Sequence, residues 1–172
     1  SMICCAGSFS GAWNGTTGKF MLKTNTHVIR LIAEEGPEKT FIMGRPDPDT
    51  GTYGANAVGG FFGGSGLRVQ GFTFTGCYAS SDDLHDPNWS TGRAICYSYD
   101  AETYYSDCVF SNNVGVVRLV AGTLQRCKIV NNTAGTGLFL TGSKAYSCLI
   151  ANKAGNCSTV ARVRNPQYSR EI

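Results

Sequence analysis

Three groups of side chains in this 172-residue chain could do chemistry. The first lies between Ser80 and Ser90 and holds Asp82, Asp83, His85, Asp86 and Trp89. Three carboxylates this close together offer hard oxygen ligands for calcium, and the indole offers a flat face for a sugar ring. The second is Arg118, Phe139 and Arg162, an aromatic ring flanked by two guanidiniums. That set could hold an acidic sugar, or could form a cation–π ladder that does no more than stabilise a sheet. The third is the thiol series Cys108, Cys127 and Cys148, spaced 19 and 21 residues apart. Free cysteine is a small buried hydrophobe as well as a soft ligand, and no histidine accompanies the series, which favours a structural thiol stack over a metal ladder.

The elements that must position these groups come from a repeat. Asp107-Cys108-Val109-Phe110-Ser111-Asn112 is followed by Arg126-Cys127-Lys128-Ile129-Val130-Asn131 and by Ser147-Cys148-Leu149-Ile150-Ala151-Asn152. A looser copy, Gly71-Phe72-Thr73-Phe74-Thr75-Gly76, carries Phe72 in the cysteine slot. A period near 20 residues marks a solenoid. Each cysteine stands two residues before an apolar residue (Phe110, Ile129, Ile150), so period-2 alternation points both inward. A second β run precedes the cysteine run, at Val116–Val120 and Gly137–Thr141, with Leu119 and Leu140 each eight residues before a cysteine. In that run the alternation turns Arg118, Phe139 and Arg162 outward. On the cysteine run, Thr73, Val109, Lys128 and Leu149 face outward, which is no catalytic row.

Asn112-Asn113, Asn131-Asn132 and Asn152 follow the cysteine run at one offset. Asparagine tolerates left-handed backbone at turns, and stacked carboxamides can bond in a ladder, so Asn112, Asn131 and Asn152 are expected to form one. Asn14, Asn88, Asn131 and Asn156 head glycosylation sequons, a pattern that a chain rich in Ser and Thr produces by chance. Asp107 and Arg126 share a slot and are expected to pair. Phe72 to Cys108 spans 36 residues where about 20 are expected, which defines an inserted loop at 78–92. Cys77 and Cys96 bracket it and could staple it; Cys4, Cys5 and Cys157 have no evident partner.

The chain resembles the right-handed parallel β-helix repeat proteins of the pectin lyase-like superfamily, especially the secreted and surface proteins of bacteria. The cysteine phrases carry the likeness, together with Ile3–Phe9 as a first coil, Val28–Ala33 with Gly36–Ile42 as a second, and Gly71–Gly76 as a third. The resemblance implies an all-β fold, a single-stranded right-handed parallel β-helix of about five to six coils, and a secreted or cell-surface location. It covers residues 3–163, and its motifs speak for fold rather than function. Lyases of that superfamily use a calcium cluster with an arginine base, and related hydrolases use paired aspartates with a histidine. Asp82-Asp83 lacks a following Gly-His-Gly and no Arg-Ile-Lys is present, so those roles do not transfer. Arg164-Asn165-Pro166 is a faint echo of a lyase motif.

The family's capping helix is missing here, and the last coil stops half-way. Residues 1–172 therefore read as a single domain, or as part of a longer solenoid, whose open ends invite self-association. Eleven of the 12 acids lie in residues 1–107 and eight of the 15 bases beyond it, a net of −4 against +7. This asymmetry favours head-to-tail attraction. No apolar run is long enough to span a membrane. Gly59–Gly64 fits a coil corner rather than a phosphate loop, and no nucleic-acid motif accompanies the basic half.

The expectation is a non-catalytic module, structural or carbohydrate-binding, with a polysaccharide or cell-surface glycan as partner and no cofactor, or calcium. The alternatives are a polysaccharide lyase or glycoside hydrolase acting on an acidic polysaccharide around the 80–90 loop, and a self-assembling building block.

Overall fold

A computed structural model describes residues 2–4, 7–9, 13–15, 18–24, 29–51, 57–63, 66–78, 94–98, 102–119, 122–133, 138–140 and 142–151. These residues are all-β, in three six-stranded sheets. The first sheet joins Met2–Cys4, Ile29–Ile32, Leu67–Gln70, Tyr104–Ser106, Thr123–Gln125 and Lys144–Tyr146. The second joins Gly7–Phe9, Thr40–Met43, Thr73–Thr75, Val109–Ser111, Lys128–Val130 and Leu149–Ala151. The third joins Trp13–Gly15, Gly18–Thr24, Val58–Gly63, Ala94–Ser98, Val116–Leu119 and Leu138–Leu140. All pairings between these strands are parallel except that of Trp13–Gly15 with Gly18–Thr24. The chain visits the sheets in rotation, an order compatible with a parallel β-helix.

Each pass thus holds three strands where the sequence pattern shows two. In the later passes the overlooked one is three or four residues long, at Leu67–Gln70, Tyr104–Ser106, Thr123–Gln125 and Lys144–Tyr146, and sits directly before the cysteine phrase or its looser copy. Its inward residue stands three before the cysteine slot: Val69, Tyr105, Leu124 and Ala145 form one register column. The pass length also differs from expectation. Lengths of 19–21 residues hold only among the last passes. Ile29–Ile32 pairs directly with Leu67–Gln70, in register Arg30 to Arg68. The added length lies in two segments. One is the turn after Ala33, where the Gly36 and Thr40 amides bond back to Ala33 and Gly36 carbonyls. The other leaves after Met43 and is closed by an antiparallel bridge between Arg45 and Val58. Gly44 stands at that closure, and any side chain there would meet Val58 O at 2.3 Å.

The core is built from columns of like residues. Ile42, Phe74, Phe110, Ile129 and Ile150 occupy one register column of the second sheet. Phe74 and Phe110 are fully buried and stack at 4.8 Å with an interplanar angle of 9°, so the ring spacing is the strand spacing. Tyr105 closes on both rings edge-on, at 6.1 and 5.7 Å, and Phe61 meets Phe74 edge-on from the third sheet at 5.1 Å. Such pairs contribute about 0.5–1.5 kcal/mol beyond burial.

Candidate functional site

The short second-sheet strands are bounded on both sides by left-handed residues. Before them stand Gly71, Asp107, Arg126 and Ser147, at φ of 77, 54, 51 and 52°. After them stand Gly76, Asn112 and Asn131, at 58, 55 and 55°. Two left-handed bends per pass turn the chain from sheet to sheet, and asparagine accepts that conformation more readily than most residues.

At the second bend, Asn112 and Asn131 are exposed and make the turn itself. The carboxamide ladder runs one residue further on, through Asn113 and Asn132, each 1% exposed. Asn113 Nδ2 donates to Asn132 Oδ1 at 2.9 Å and to Phe74 O at 3.0 Å, while Asn113 Oδ1 accepts from the Cys77 amide at 2.9 Å. Asn132 repeats the pattern, donating to Phe110 O and accepting from the Asn113 amide, both at 3.0 Å. The expected ladder on Asn112 and Asn131 is therefore displaced by one position, because the left-handed residue must face solvent and its successor turns in. Asn152 lies outside the described residues. An open hollow of about 260 Å³ over this bend is lined by Asn112, Asn113, Val114, Asn131 and Thr133, neutral groups with no acid or base among them.

At the first bend Asp107 and Arg126 form a two-pronged ion pair, Nε to Oδ1 at 2.6 Å and Nη2 to Oδ2 at 2.8 Å, with Gln70 adding a 3.4 Å bond. The hydrogen bonds from Arg126 hold the Asp107 carboxyl below its ordinary pKa.

The cysteine column follows this bend. Phe72, Cys108, Cys127 and Cys148 succeed one another, and the carbonyls of the first three accept from the residue after the next pass's slot (Val109, Lys128, Leu149) at 2.9 Å. Cys108 and Cys127 are buried, Cys148 is half-buried, and all three are free thiols. The neighbouring Cys108 thiol, with burial adding to it, pushes the Cys127 thiol up to about 12. Cys77 is also free and wholly buried, its sulfur facing Thr75 O and Ile42 O at 3.7 and 4.0 Å. Cys77 therefore does not form the staple with Cys96 that the sequence left open: it is buried in the core, and burial raises it to about 12.

Of the second group, Arg118 and Phe139 are direct register partners in the third sheet; Arg162 lies outside the described residues. So do Asp82, Asp83, His85, Asp86 and Trp89, together with Cys5 and Cys157.

The overlooked first-sheet strands carry a set of exposed groups that sequence reasoning missed. Leu67, Val69, Tyr105 and Leu124 are buried, so their neighbours face outward. Arg30, Arg68, Tyr104, Thr123 and Lys144 share one outward register row, about 19 Å long over four strand spacings. Beside it runs Gln70, Ser106, Gln125 and Tyr146, of which Ser106 is buried. Tyr104 donates to Gln125 Oε1, Tyr146 is 51% exposed, and among the described residues Arg30, Arg68 and Lys144 have no ion-pair partner. The signal was present as Tyr104-Tyr105-Ser106, Thr123-Leu124-Gln125 and Lys144-Ala145-Tyr146 at one offset, but each triplet is too short to show a period. The neighbouring second-sheet face differs. Its outward row is Phe41, Thr73, Val109, Lys128 and Leu149. Thr73 is covered, donating to Pro37 O from the long turn, while Met43 and Leu149 are 44% and 56% exposed.

No protein-family model, curated protein or solved structure matches this chain. No helix of the described residues is long and apolar enough to cross a membrane.

Proposed function

We propose that the chain is a right-handed parallel β-helix of the pectin lyase-like kind, secreted or displayed at a cell surface, that binds carbohydrate without chemically altering it. The observation that carries this reading is the outward row Arg30, Arg68, Tyr104 and Lys144 on the first sheet. The row is straight, rigidly spaced and lies on strands rather than loops. It joins three cations to the half-buried phenol of Tyr104, with an exposed phenol, Tyr146, beside it. Guanidinium groups bind carboxylates or sulfates in two-pronged fashion, and exposed tyrosines offer an apolar face with a polar tip. The row itself holds no carboxylate that could pass a proton. An extended acidic polysaccharide laid across the strands is the ligand this composition fits.

A glycan array read with and without calcium tests the proposal. Binding of acidic glycans that survives calcium chelation is the expected result. Absence of binding to any acidic glycan, or breakdown of polygalacturonate by the purified chain, contradicts it. Calcium-dependent binding would move the site to the 80–90 segment.

A further inference from the structure

The cysteine column carries a second kind of chemistry, independent of the carbohydrate reading. Its thiols repeat one geometry. Cys108 Sγ lies 3.2 Å from Ser106 O, Cys127 Sγ 3.4 Å from Gln125 O, and Cys148 Sγ 3.3 Å from Tyr146 O. Cys108 and Cys127 also approach the carbonyl of the preceding pass, Val69 O at 3.7 Å and Tyr105 O at 3.6 Å. Side chains with the same contacts at successive register positions are related by translation, so neighbouring sulfurs are separated by the strand spacing of about 4.8 Å.

That separation excludes one pairing and fits another. Side chains related by translation hold the Cβ–S–S–Cβ torsion near zero, whereas a disulfide needs close to a right angle. A tetrahedral zinc site needs three or four converging ligands, and no three His, Cys, Asp or Glu side chains converge among the described residues. A linear sulfur–metal–sulfur unit needs only two. Two-coordinate bonds are shorter than the four-coordinate zinc value of about 2.3 Å, so the unit spans somewhat less than about 4.6 Å and the two sulfurs need close by only a fraction of an ångström from the strand spacing. Side chains stand roughly perpendicular to a sheet and the stacking axis lies in the sheet plane, so a lone pair on each sulfur can lie along that axis.

We propose that the column binds one soft monovalent cation of the copper(I) class between Cys127 Sγ and Cys148 Sγ, in linear coordination. Thiolates select such ions over harder ones. Cys148 is half-buried and admits the ion, whereas Cys108 is sealed beneath Cys127. Two sulfur–metal bonds form and two S–H bonds break. Both protons pass to solvent, so binding weakens as pH falls.

The test is anaerobic titration of the full chain with copper(I), buffered by a chromogenic copper(I) chelator, and X-ray absorption at the copper edge of the loaded protein. The expected result is one tightly held copper with two sulfur neighbours. It is lost, with affinity falling at least 100-fold, in Cys148→Ser and in the Cys127→Ser, Cys148→Ser pair, and kept in Cys77→Ser. Cys148→Ser changes a half-exposed site, so its folded state, checked by circular dichroism, keeps the test valid should the double variant unfold. Failure of the wild-type chain to take copper from the chelator, equal uptake by a folded Cys148→Ser variant, or three or more sulfur neighbours overturns the proposal.

Discussion

The two bends that bound each second-sheet strand use the same backbone conformation and close it in opposite ways. The first is held by an ion pair in solvent, Asp107 with Arg126. The second is held by buried carboxamides, Asn113 with Asn132. The difference is one of dielectric. In water the gain from pairing two charges is offset by the order it imposes, and such pairs contribute little. Inside the corner each carboxamide replaces backbone partners that water cannot reach, and removing it leaves those partners stranded. The side of the strand that looks electrostatically busy is therefore the weaker one.

Removing the buried side should have the largest effect. Asn113→Ala would leave the Cys77 amide unpaired and take one donor each from the Phe74 carbonyl and the Asn132 carboxamide, an expected loss of about 3 kcal/mol. Urea unfolding monitored by circular dichroism measures it, and a loss no greater than that of Asp107→Ala would break the comparison between the bends. Substitution within the thiol column comes next. Cys127→Ala should cost on the order of 1–2 kcal/mol, from a lost small apolar group and the cavity it leaves. Native-state labelling at pH 8 sharpens this prediction. Cys77 and Cys127, both raised to about 12, and the sealed Cys108 should stay unmodified until denaturant is added; Cys148 is half-buried, but Cys127 and burial push its thiol up further still, so it too should react far more slowly than a fully exposed thiol. Fast labelling of Cys127 in the folded chain would mean that the column is open.

The smallest effect belongs to the ion pair. The Asp107 pKa is lowered in the folded chain, so its contribution is fully present above the unfolded carboxyl value of about 3.9. That contribution is lost as pH falls through the lower folded value. Wild type and Asp107→Asn should therefore differ slightly in stability at pH 6, and the difference should shrink as pH falls below the ordinary carboxyl range. A difference that persists in acid would show that Asp107 acts through its left-handed backbone rather than its charge.

How much of this was legible in the sequence varied with local chemistry. The cysteine phrase could be read because burial repeats there in a strict alternation, as in Cys108 and Phe110 or Cys127 and Ile129. The first-sheet strand could not, since Tyr104-Tyr105-Ser106 and Thr123-Leu124-Gln125 show one inward residue each, too short a pattern to signal a period. The candidate row Arg30, Arg68, Tyr104 and Lys144 was hidden for the same reason, and also because its members are brought together by register across passes of unequal length. Arg118 and Phe139 were correctly placed side by side because equal spacing to Cys127 and Cys148 fixes their register. The Asn ladder was placed one residue early, since adjacent asparagines look alike in sequence and only the left-handed angle at Asn112 and Asn131 separates the turn-former from the ladder-former.

The central claim is that the first-sheet row, rather than its neighbour, meets the ligand. Calorimetric binding of an acidic polysaccharide to wild type, to an Arg30→Ala, Arg68→Ala variant, and to Lys128→Ala on the outward row of the second sheet tests it directly. The account predicts at least a tenfold loss of affinity for the double variant and no change for Lys128→Ala; equal affinity for all three proteins, or a loss confined to Lys128→Ala, would contradict it.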